Sequence, residues 1–386
     1  MNTKTRRIAI NEASGFVPGL NAVLSGAATA AHGLDWELVG IRDGFDGLLY
    51  PERYEDGGLV AITPRLVDTI DPAGQDILGQ APRVDPFHVR QVDEDNMVQE
   101  VDLSDHLLER FKAEGIDALI SVAGGRGPTI LYKLHRKGLD AVCIPRSVEN
   151  DVAATDMSFG FNSALSFTIE MLDRARQATR SARQIGVVEV LGSQAGWLAL
   201  QSGIAVGADA VLIPEIPYRI DHLVASLKEK VAQNRPYGLV VVASGATCAD
   251  NTQAEEKPSS YQASLSPLTS GDTSEHVIQQ SGGAARFVAN QLQRHLAIET
   301  HPVVLGDWSR CGSPSAVDRQ LALIYGAGAI KALSEGNTNH MVVFRPPDIE
   351  FVNLAEAIND VRTISSQRSI LRIARSLGIC LGGELQ

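Results

Sequence analysis

The sequence predicts an α/β protein made of two doubly wound, mostly parallel sheet lobes. The chain has 386 residues, more than one hydrophobic core usually spans, so two lobes are the default expectation. Short apolar runs rich in Val, Ile and Ala are continuous rather than alternating, as expected of parallel strands covered on both faces. Helix-like stretches separate these runs nearly throughout, which is typical of right-handed βαβ units.

In chain order, the apolar runs predict strands at residues 7–11, 36–41, 118–122, 141–144, 185–190, 210–213, 239–243, 303–305 and 341–344. The stretches between them predict helices at residues 21–32, 103–114, 128–137, 163–178, 220–234 and 316–334. Two regions break this alternation. Residues 44–101 are rich in Gly, Asp and Pro and are expected to contain a hairpin or a long loop, and residues 248–275 are expected to form an exposed polar insertion.

Composition argues against several classes of function. The net charge of −12 comes without a basic stripe, which disfavours nucleic acid as a partner. No apolar run reaches the roughly 18 residues of a membrane-spanning helix, and no secretory signal is expected after the basic start. The scattered cysteines lack the spacing of a zinc site and suit reduced thiols in a cytoplasmic protein; they are Cys143, Cys248, Cys311 and Cys380.

Glycine-rich turns follow four of the predicted strands, and their sequences are NEASGFVPGLN at residues 11–21, VAGGRGP at 122–128, VLGSQAG at 190–196 and GDWSRCGSP at 306–314. In doubly wound sheets, ligands bind beyond the carboxyl ends of the strands, where such turns leave backbone N–H groups free. One glycine turn usually only reverses the chain, but four together favour a phosphate-bearing ligand. The GGRG stretch lacks both the GxGxxG fingerprint of dinucleotide folds and the Lys-Ser/Thr pair of a P-loop.

The most specific motifs lie in residues 118–164, ALISVAGGRGPTILYKLHRKGLDAVCIPRSVENDVAATDMSFGFNSA. This segment resembles the phosphofructokinase pattern of GGDGS, then PGTIDND or PKTIDND, then GTDxTFGFxTA. Further similar motifs follow the family order, and they are PGLNA at 18–22, GVVEVLGSQAGWLAL at 186–200 and ETHPVVLGDWSRCGSPSAVDR at 299–319. The resemblance runs from near residue 8 to about residue 345.

The resemblance implies a phosphofructokinase-like fold with the active site in the cleft between two lobes that exchange chain. The larger, donor-binding lobe is then expected at residues 1–160 plus about 310–365. The smaller, acceptor-binding lobe is expected at about 161–309 plus 366–386. The implied chemistry is transfer of a phosphoryl group to a hydroxyl, with Mg²⁺ as cofactor.

Two carboxylates of the family's catalytic loop have counterparts here. Glu149 occupies the position of the catalytic Asp, with a side chain one methylene longer. Misplacing a base by about 1 Å can cost on the order of 100-fold in rate. Two interpretations stay open: Glu149 is a base aimed at a different hydroxyl, or a carboxylate retained only for hydrogen bonding in the loop. Asp151 matches the second Asp of the family motif and is the candidate metal ligand.

The resemblance assigns donor binding to the first two glycine turns and the strand that follows, at Gly15, Gly124, Gly125, Arg126, Gly127 and Arg146. Arg126 replaces an Asp that lies near magnesium in the family, and its guanidinium would contact a donor phosphate instead. Arg146 lies where ATP users tend to carry Gly and diphosphate users Lys, whereas Gly127 follows the ATP pattern. The choice between ATP and diphosphate therefore stays open.

The resemblance places acceptor binding at Ser147, Gln184, Leu191, Gly192, Ser193, Glu215, His301, Asp307 and Arg310. The family holds the 6-phosphate of its sugar with cationic side chains at three of these positions, partly from a neighbouring subunit. Here those positions carry Gln184, His301 and Asp307, so an amide, a mostly neutral imidazole and a carboxylate replace the cations.

Other acceptor positions keep the means to recognise hydroxyl groups. Glu215 and Arg310 match family residues that contact the sugar, although Ser193 replaces a further arginine. A phosphate dianion beside Asp307 would be disfavoured by several kcal/mol in a pocket of low dielectric constant. The pattern therefore predicts an unphosphorylated sugar, polyol or amino-polyol as acceptor.

Three functions remain open from the sequence. The first is a kinase that uses ATP or diphosphate and an acceptor other than fructose 6-phosphate. The second is a 6-phosphofructokinase with unusual residues, and the third is a non-catalytic paralogue that binds sugar or nucleotide. Because the family completes its acceptor pocket across a subunit interface, a homodimer or homotetramer is expected.

Overall fold

A computed structural model of the chain describes residues 5–13, 15–71, 76–79, 85–92, 97–249, 282–358 and 360–383. The chain divides into two compact units. Unit 1 contains residues 1–147, 152–162 and 312–360, and unit 2 contains residues 148–151, 163–311 and 361–386. The predicted bounds differ from these at residues 148–151, 310–311 and 361–365, which belong to unit 2, and at residues 161–162, which belong to unit 1.

The strands are β1 (Arg7–Glu12), β2 (Glu37–Ile41), β3 (Leu59–Ala61), β4 (Val89–Val92), β5 (Val98–Val101), β6 (Ala118–Ala123), β7 (Ala141–Ser147), β8 (Phe159–Gly160), β9 (Ile185–Val190), β10 (Ala210–Leu212), β11 (Gly238–Ala243), β12 (Thr300–Val304), β13 (His340–Arg345) and β14 (Asp348–Asn353). The helices are α1 (Leu20–His32), α2 (Asp46–Leu49), α3 (Pro64–Val67), α4 (Ser104–Ala113), α5 (Gly127–Arg136), α6 (Phe161–Ala182), α7 (Trp197–Val206), α8 (Ile220–Ala232), α9 (Gly283–His295), α10 (Ala316–Ser334), α11 (Leu354–Ala357) and α12 (Ser369–Ser376). Short 3₁₀ turns lie at Pro51–Arg53 and Gly306–Arg310.

The main sheet of unit 1 has the strand order β14-β13-β7-β6-β1-β2-β3, with β8 paired to β7. Its central strands are parallel: Ile8 lies opposite Ala118, and Leu119 lies opposite Ala141. The edge strands β3 and β14 are antiparallel to their neighbours. Because β7, β6 and β1 are adjacent and parallel, their carboxyl ends lie side by side, and so do the turns that follow them.

Helices α1 and α10 pack unusually closely within unit 1. A Cβ atom added at Gly26 would lie 2.1 Å from the carbonyl oxygen of Leu323, and one added at Gly326 would lie 2.1 Å from that of Val23. Real Cβ atoms do not approach backbone oxygens so closely, so glycine at both positions is what allows the two helix backbones to touch.

Unit 2 is built on a parallel sheet with the strand order β10-β11-β9-β12. Val240 of β11 lies opposite Val187 of β9, and His301 of β12 lies opposite Gly186. The core of this unit is formed by apolar residues of these strands and of α8 and α9. The strands β9, β10 and β11 are short and buried along their whole length, as expected of parallel strands covered on both faces, whereas β12 at the edge is partly exposed.

The predicted fold class is correct, and each predicted strand and helix is present with small shifts at its ends. The region at 44–101 contains the antiparallel pair β4–β5, and the helices α9 and α12 were not predicted. From residue 250 on, the predicted insertion lies outside the described residues. In the part of the chain that the structure describes, no helix has the length and apolar character needed to cross a membrane.

Candidate active site

The candidate donor residues of unit 1 lie in the turns that follow β1 and β6 and at the end of β7. Gly15 and Gly125 have positive φ angles of 37° and 55°. A Cβ atom at Gly124 would lie 2.3 Å from the carbonyl oxygen of Arg146, so only glycine lets the second turn approach the end of β7. The structure therefore brings the two glycine turns and Arg146 together, as the sequence predicted.

Arg146 is buried and ion-paired inside unit 1. Its Nη1 atom lies 2.5 Å from Oε1 of Glu12, and the same atom donates to the carbonyl oxygen of Gly15. Burial raises the pKa of Glu12 well above its usual value, Asp76 raises it further, and Arg146 opposes the shift. The positive charge of Arg146 is thus balanced by the carboxyl group of Glu12, and the guanidinium holds the first glycine turn through its hydrogen bond to Gly15.

Arg126 is placed differently from Arg146. It is exposed, and it immediately precedes α5, whose first residue is Gly127. Backbone N–H groups at the start of a helix favour anions, and an exposed guanidinium beside them adds a charged donor. This arrangement is compatible with the predicted contact between Arg126 and a donor phosphate. Ser147, the last residue of β7, accepts a hydrogen bond at its carbonyl oxygen from Oγ of Ser158 at 3.3 Å.

In unit 2, Glu149 is held by the turn that follows β9. The backbone N–H and the Oγ hydroxyl of Ser193 both donate to Oε2 of Glu149, at 2.9 and 3.1 Å. The longer side chain of Glu149 therefore meets the short side chain that replaces the family's arginine. The same turn contains Leu191 and Gly192, and the carbonyl oxygen of Gly192 accepts from the N–H of Gly245 at 3.0 Å.

The pKa of Glu149 is raised, first by burial and then by the negative charge of Asp151. Hydrogen bonds from Ser193 and the charge of Arg310 act in the opposite direction. A carboxyl group with a raised pKa is a stronger base than an exposed one and is better matched to accepting a proton from a hydroxyl. The electrostatics of Glu149 are therefore compatible with a general base.

Arg310 lies between two carboxylates of unit 2. Its Nε atom donates to Oδ1 of Asp307 at 2.9 Å, and its Nη2 atom lies 3.8 Å from Oε1 of Glu149. Arg310 and Asp307 both belong to the 3₁₀ turn that follows β12, so their pairing is local. Arg310, a predicted acceptor residue, is thus already bound to the carboxylate of Asp307.

Glu215 accepts hydrogen bonds from the backbone of two segments that are distant along the chain. It accepts from the N–H of Gly196 at 3.0 Å and from the N–H of Ile364 at 2.9 Å. Burial raises its pKa, and these two hydrogen bonds oppose that shift. In this structure Glu215 joins the turn before α7 to the C-terminal return of the chain, a contact that the sequence did not predict.

Gln184 and His301 do not join the other acceptor residues of the chain. Gln184 precedes β9 and Leu191 follows it, so the two ends are roughly 20 Å apart at about 3.3 Å per strand residue. His301 is exposed and lies beside the same amino-terminal end, opposite Gly186. Within one chain these two side chains are therefore remote from Glu149 and Asp307.

Sequence reasoning missed the contribution of the C-terminal segment. Arg362 hydrogen-bonds to the loop that carries Glu149, and its guanidinium lies 4.3 Å from the ring centroid of Trp197. The motif resemblance ends near residue 345, and Arg362 meets its partners across a sequence separation of 212 residues, so no local signal could reveal it. The side chain of Trp197 is buried.

The carboxylates present fit a magnesium ion held mainly by its substrate. Among the described residues, no three His, Cys, Asp or Glu side chains form a metal site. Magnesium is usually bound by one or two carboxylates together with substrate phosphates and water. Asp151 lies near Glu149, is partly exposed and can supply such a carboxylate.

Comparisons with known proteins agree with one another. The sequence model of the family described as Phosphofructokinase matches residues 7–333. An ATP-dependent 6-phosphofructokinase of Chloroflexus aurantiacus is 34% identical over 386 residues, which is 100% of both chains. ATP-dependent 6-phosphofructokinase 3 of Streptomyces coelicolor is 33% identical and covers 94% of this chain and 97% of its own. In fold, the chain is similar to a pyrophosphate-dependent phosphofructokinase from Marinobacter aquaeolei, with a TM-score of 0.73, 19% identity and coverage of 98% and 93% of the two chains.

Proposed function

Since the chain belongs to the phosphofructokinase family, we propose that it transfers a phosphoryl group from ATP to a sugar or polyol that carries no phosphate. The observation that carries the acceptor assignment is the pairing of Arg310 with Asp307 at 2.9 Å. Members of the family are kinases that act on a sugar hydroxyl, and the proposal concerns which acceptor this chain takes.

A phosphate group on the acceptor would meet an unfavourable charge balance. To bind Arg310 it would have to displace Asp307, and Glu149 lies 3.8 Å from the same guanidinium. Two carboxylates around one arginine leave no net positive charge for a dianion. A hydroxyl group can donate to Asp307 instead, and an ammonium group would be attracted to it. The charge distribution therefore favours a neutral or amino-bearing acceptor.

The residues of unit 2 supply the roles that phosphoryl transfer requires. Glu149 accepts the proton of the acceptor hydroxyl, whose oxygen then bonds to phosphorus while the donor's bridging oxygen leaves. Ser193 orients the Glu149 carboxylate through two hydrogen bonds. Asp151 would hold magnesium, which when bound neutralises charge on the donor phosphates.

ATP is the proposed donor for two reasons. The chain is 34% identical over its full length to a relative named as ATP-dependent. Arg146 occupies the position at which a basic residue favours diphosphate, but its charge is balanced by Glu12 at 2.5 Å. A neutralised guanidinium that braces the Gly15 turn is a weaker phosphate ligand than a free cation. Diphosphate is the alternative donor that the experiment below includes.

A 6-phosphofructokinase is the second candidate function. The full-length relatives are named as ATP-dependent 6-phosphofructokinases, which favours fructose 6-phosphate as the acceptor. Gln184 and His301 lie at the end of the sheet remote from Glu149, and β12 is an edge strand among the described residues. In a homodimer or homotetramer, these side chains would complete the acceptor site of a neighbouring subunit.

Phosphoryl transfer by the purified protein tests both functions. With magnesium, ATP and diphosphate are each supplied with fructose 6-phosphate or with unphosphorylated sugars, polyols and amino-polyols. Turnover on an unphosphorylated acceptor, abolished by Glu149→Gln, supports the proposal. Turnover on fructose 6-phosphate alone establishes the second candidate. Donor binding without turnover on any acceptor indicates a non-catalytic protein and contradicts both.

A further inference from the structure

The loop that carries Glu149 and Asp151 turns at a residue with a left-handed backbone. Asn150, between them, has a φ angle of 53° and is 3% exposed. Asn tolerates the left-handed region better than most residues with a side chain, and at a buried position the surrounding contacts fix this backbone conformation. The two carboxylates with the main proposed roles therefore flank a turn that depends on its neighbours.

Arg362 provides contacts to the two peptide groups that follow this turn. Its backbone N–H donates to the carbonyl oxygen of Asp151 at 2.8 Å. Its guanidinium Nη1 donates to the carbonyl oxygen of Asn150 at 3.3 Å. Arg362 belongs to unit 2 together with this loop, although 212 residues separate it from Asn150 in sequence.

Arg362 is itself anchored at the start of α7. Nε1 of Trp197 donates to the carbonyl oxygen of Arg362 at 2.7 Å, and the guanidinium lies 4.3 Å from the centroid of the indole ring. Two residues further along the chain, the N–H of Ile364 donates to Glu215 at 2.9 Å. Stacking and hydrogen bonding together restrict the guanidinium to the orientation in which it reaches Asn150.

We propose that Arg362 is a positioning residue that holds the turn at Asn150 and thereby keeps Glu149 and Asp151 in place for phosphoryl transfer. This inference rests on the proposed function, because the loop matters through that reaction. Arg362 acts through the loop and not on the reacting atoms. Displacement of a base by about 1 Å can cost on the order of 100-fold in rate, so a loosened loop lowers kcat. Asp151, the proposed magnesium ligand, lies in the same loop, so the KM for ATP is expected to rise as well.

The test compares three variants of the full chain. Arg362→Met keeps an unbranched stem over Trp197 and removes the guanidinium donors, and Arg362→Lys keeps a charge and part of the donor capacity. Arg368→Met is the matched control, because its guanidinium lies over the same ring at 5.7 Å but belongs to an exposed side chain. Hydrogen–deuterium exchange of residues 148–152 is measured alongside kcat and KM on the accepted substrate.

In Arg362→Met, exchange in residues 148–152 is expected to be about tenfold faster, and kcat about 100-fold lower. Arg362→Lys is expected to recover part of both effects, and Arg368→Met to match the wild type.

Unchanged exchange in Arg362→Met would overturn the proposal, and so would faster exchange with unchanged kcat, because the contact would then be structural only. If Arg362→Met does not fold, Arg362→Lys and Arg368→Lys are compared by the same two measurements. A wild type that is inactive on every acceptor contradicts the proposed function and the catalytic role of Arg362. The exchange measurement then still decides whether Arg362 holds the loop.

Discussion

The donor turns of unit 1 depend on backbone geometry, whereas the acceptor residues of unit 2 depend on side-chain chemistry. In unit 1, Gly15, Gly124 and Gly125 shape the turns to which donor binding is proposed. In unit 2, the proposed recognition of the acceptor passes through the carboxylates and the guanidinium of Glu149, Asp307 and Arg310. Backbone recognition tolerates many substitutions, but one side-chain change reverses a charge. If the proposed acceptor is correct, the comparison teaches how a family fold could keep its donor turns and change its acceptor.

The arginine–carboxylate pairs of the two units differ in how far they are exposed to solvent. Arg146 and Glu12 have side chains that are 5% and 4% exposed, so their pair belongs to the interior of unit 1. Arg310 and Asp307 are 34% and 84% exposed, so their pair can open for a ligand. Breaking the buried pair should therefore affect stability, whereas breaking the exposed pair should affect specificity.

The largest effect is expected for Glu149→Gln, which removes the proposed base of unit 2. The amide cannot accept a proton, so kcat should fall roughly 100- to 10,000-fold on the accepted substrate. The KM for ATP should change little, because the donor turns lie in unit 1. Steady-state kinetics check this, with the exposed Glu170→Gln as control. Residual activity within tenfold of the wild type would show that Glu149 serves only to hydrogen-bond the loop.

The next effect tests the buried pair of unit 1. In Arg146→Gly, Glu12 loses its ion partner, and the free energy of unfolding should fall by about 3–5 kcal/mol in urea titrations. The exposed Arg126→Ala should change it by less than about 0.5 kcal/mol. Similar losses of unfolding free energy in both variants would show that the ion pair of Arg146 and Glu12 does not stabilise the fold.

The loss of unfolding free energy in Arg146→Gly should also depend on pH. The pKa of Glu12 is already raised by burial, and loss of Arg146 raises it further. A carboxyl group whose pKa is higher in the folded state holds its proton more tightly there, so its folded state loses stability as pH rises through that range. The deficit should therefore shrink in acidic buffer, and adding Glu12→Gln should reduce it at neutral pH.

The two regions were also unequally predictable from sequence. The central parallel strands of both units followed from continuous apolar runs, and the glycine turns from their place after those runs, whereas β3, β4, β5, β8 and β14 were not predicted as strands. Glu149 and Asp151 could be located because they lie within one short motif. The partners of Arg146, Glu149 and Arg362 could not be predicted from the sequence, because each partner lies far along the chain from the residue it contacts. Charge pairing of this kind leaves no periodic pattern in a single sequence.

A smaller effect is expected when the family residue is restored at the exposed pair. Asp307→His removes a carboxylate and frees Arg310, so kcat/KM for fructose 6-phosphate should rise by about tenfold to 100-fold. Activity on the unphosphorylated acceptor should fall at the same time. Asp221→Asn, an exposed change elsewhere in unit 2, controls for net charge. An unchanged preference between the two acceptors would remove Asp307 from the specificity determinants.

The smallest effect is expected for Ser193→Ala, which leaves the backbone hydrogen bond to Glu149 and removes the hydroxyl one. Because that hydroxyl donates to the charged form of Glu149, its loss should raise the pKa of Glu149. A base must be deprotonated to act, so the acid limb of kcat/KM should move to higher pH, with about fivefold lower activity in acidic buffer and little change at alkaline pH. Ser193→Thr keeps a hydroxyl and should restore the profile. A uniform loss at all pH values in both variants would show that the turn, and not its hydroxyl, sets the position of Glu149.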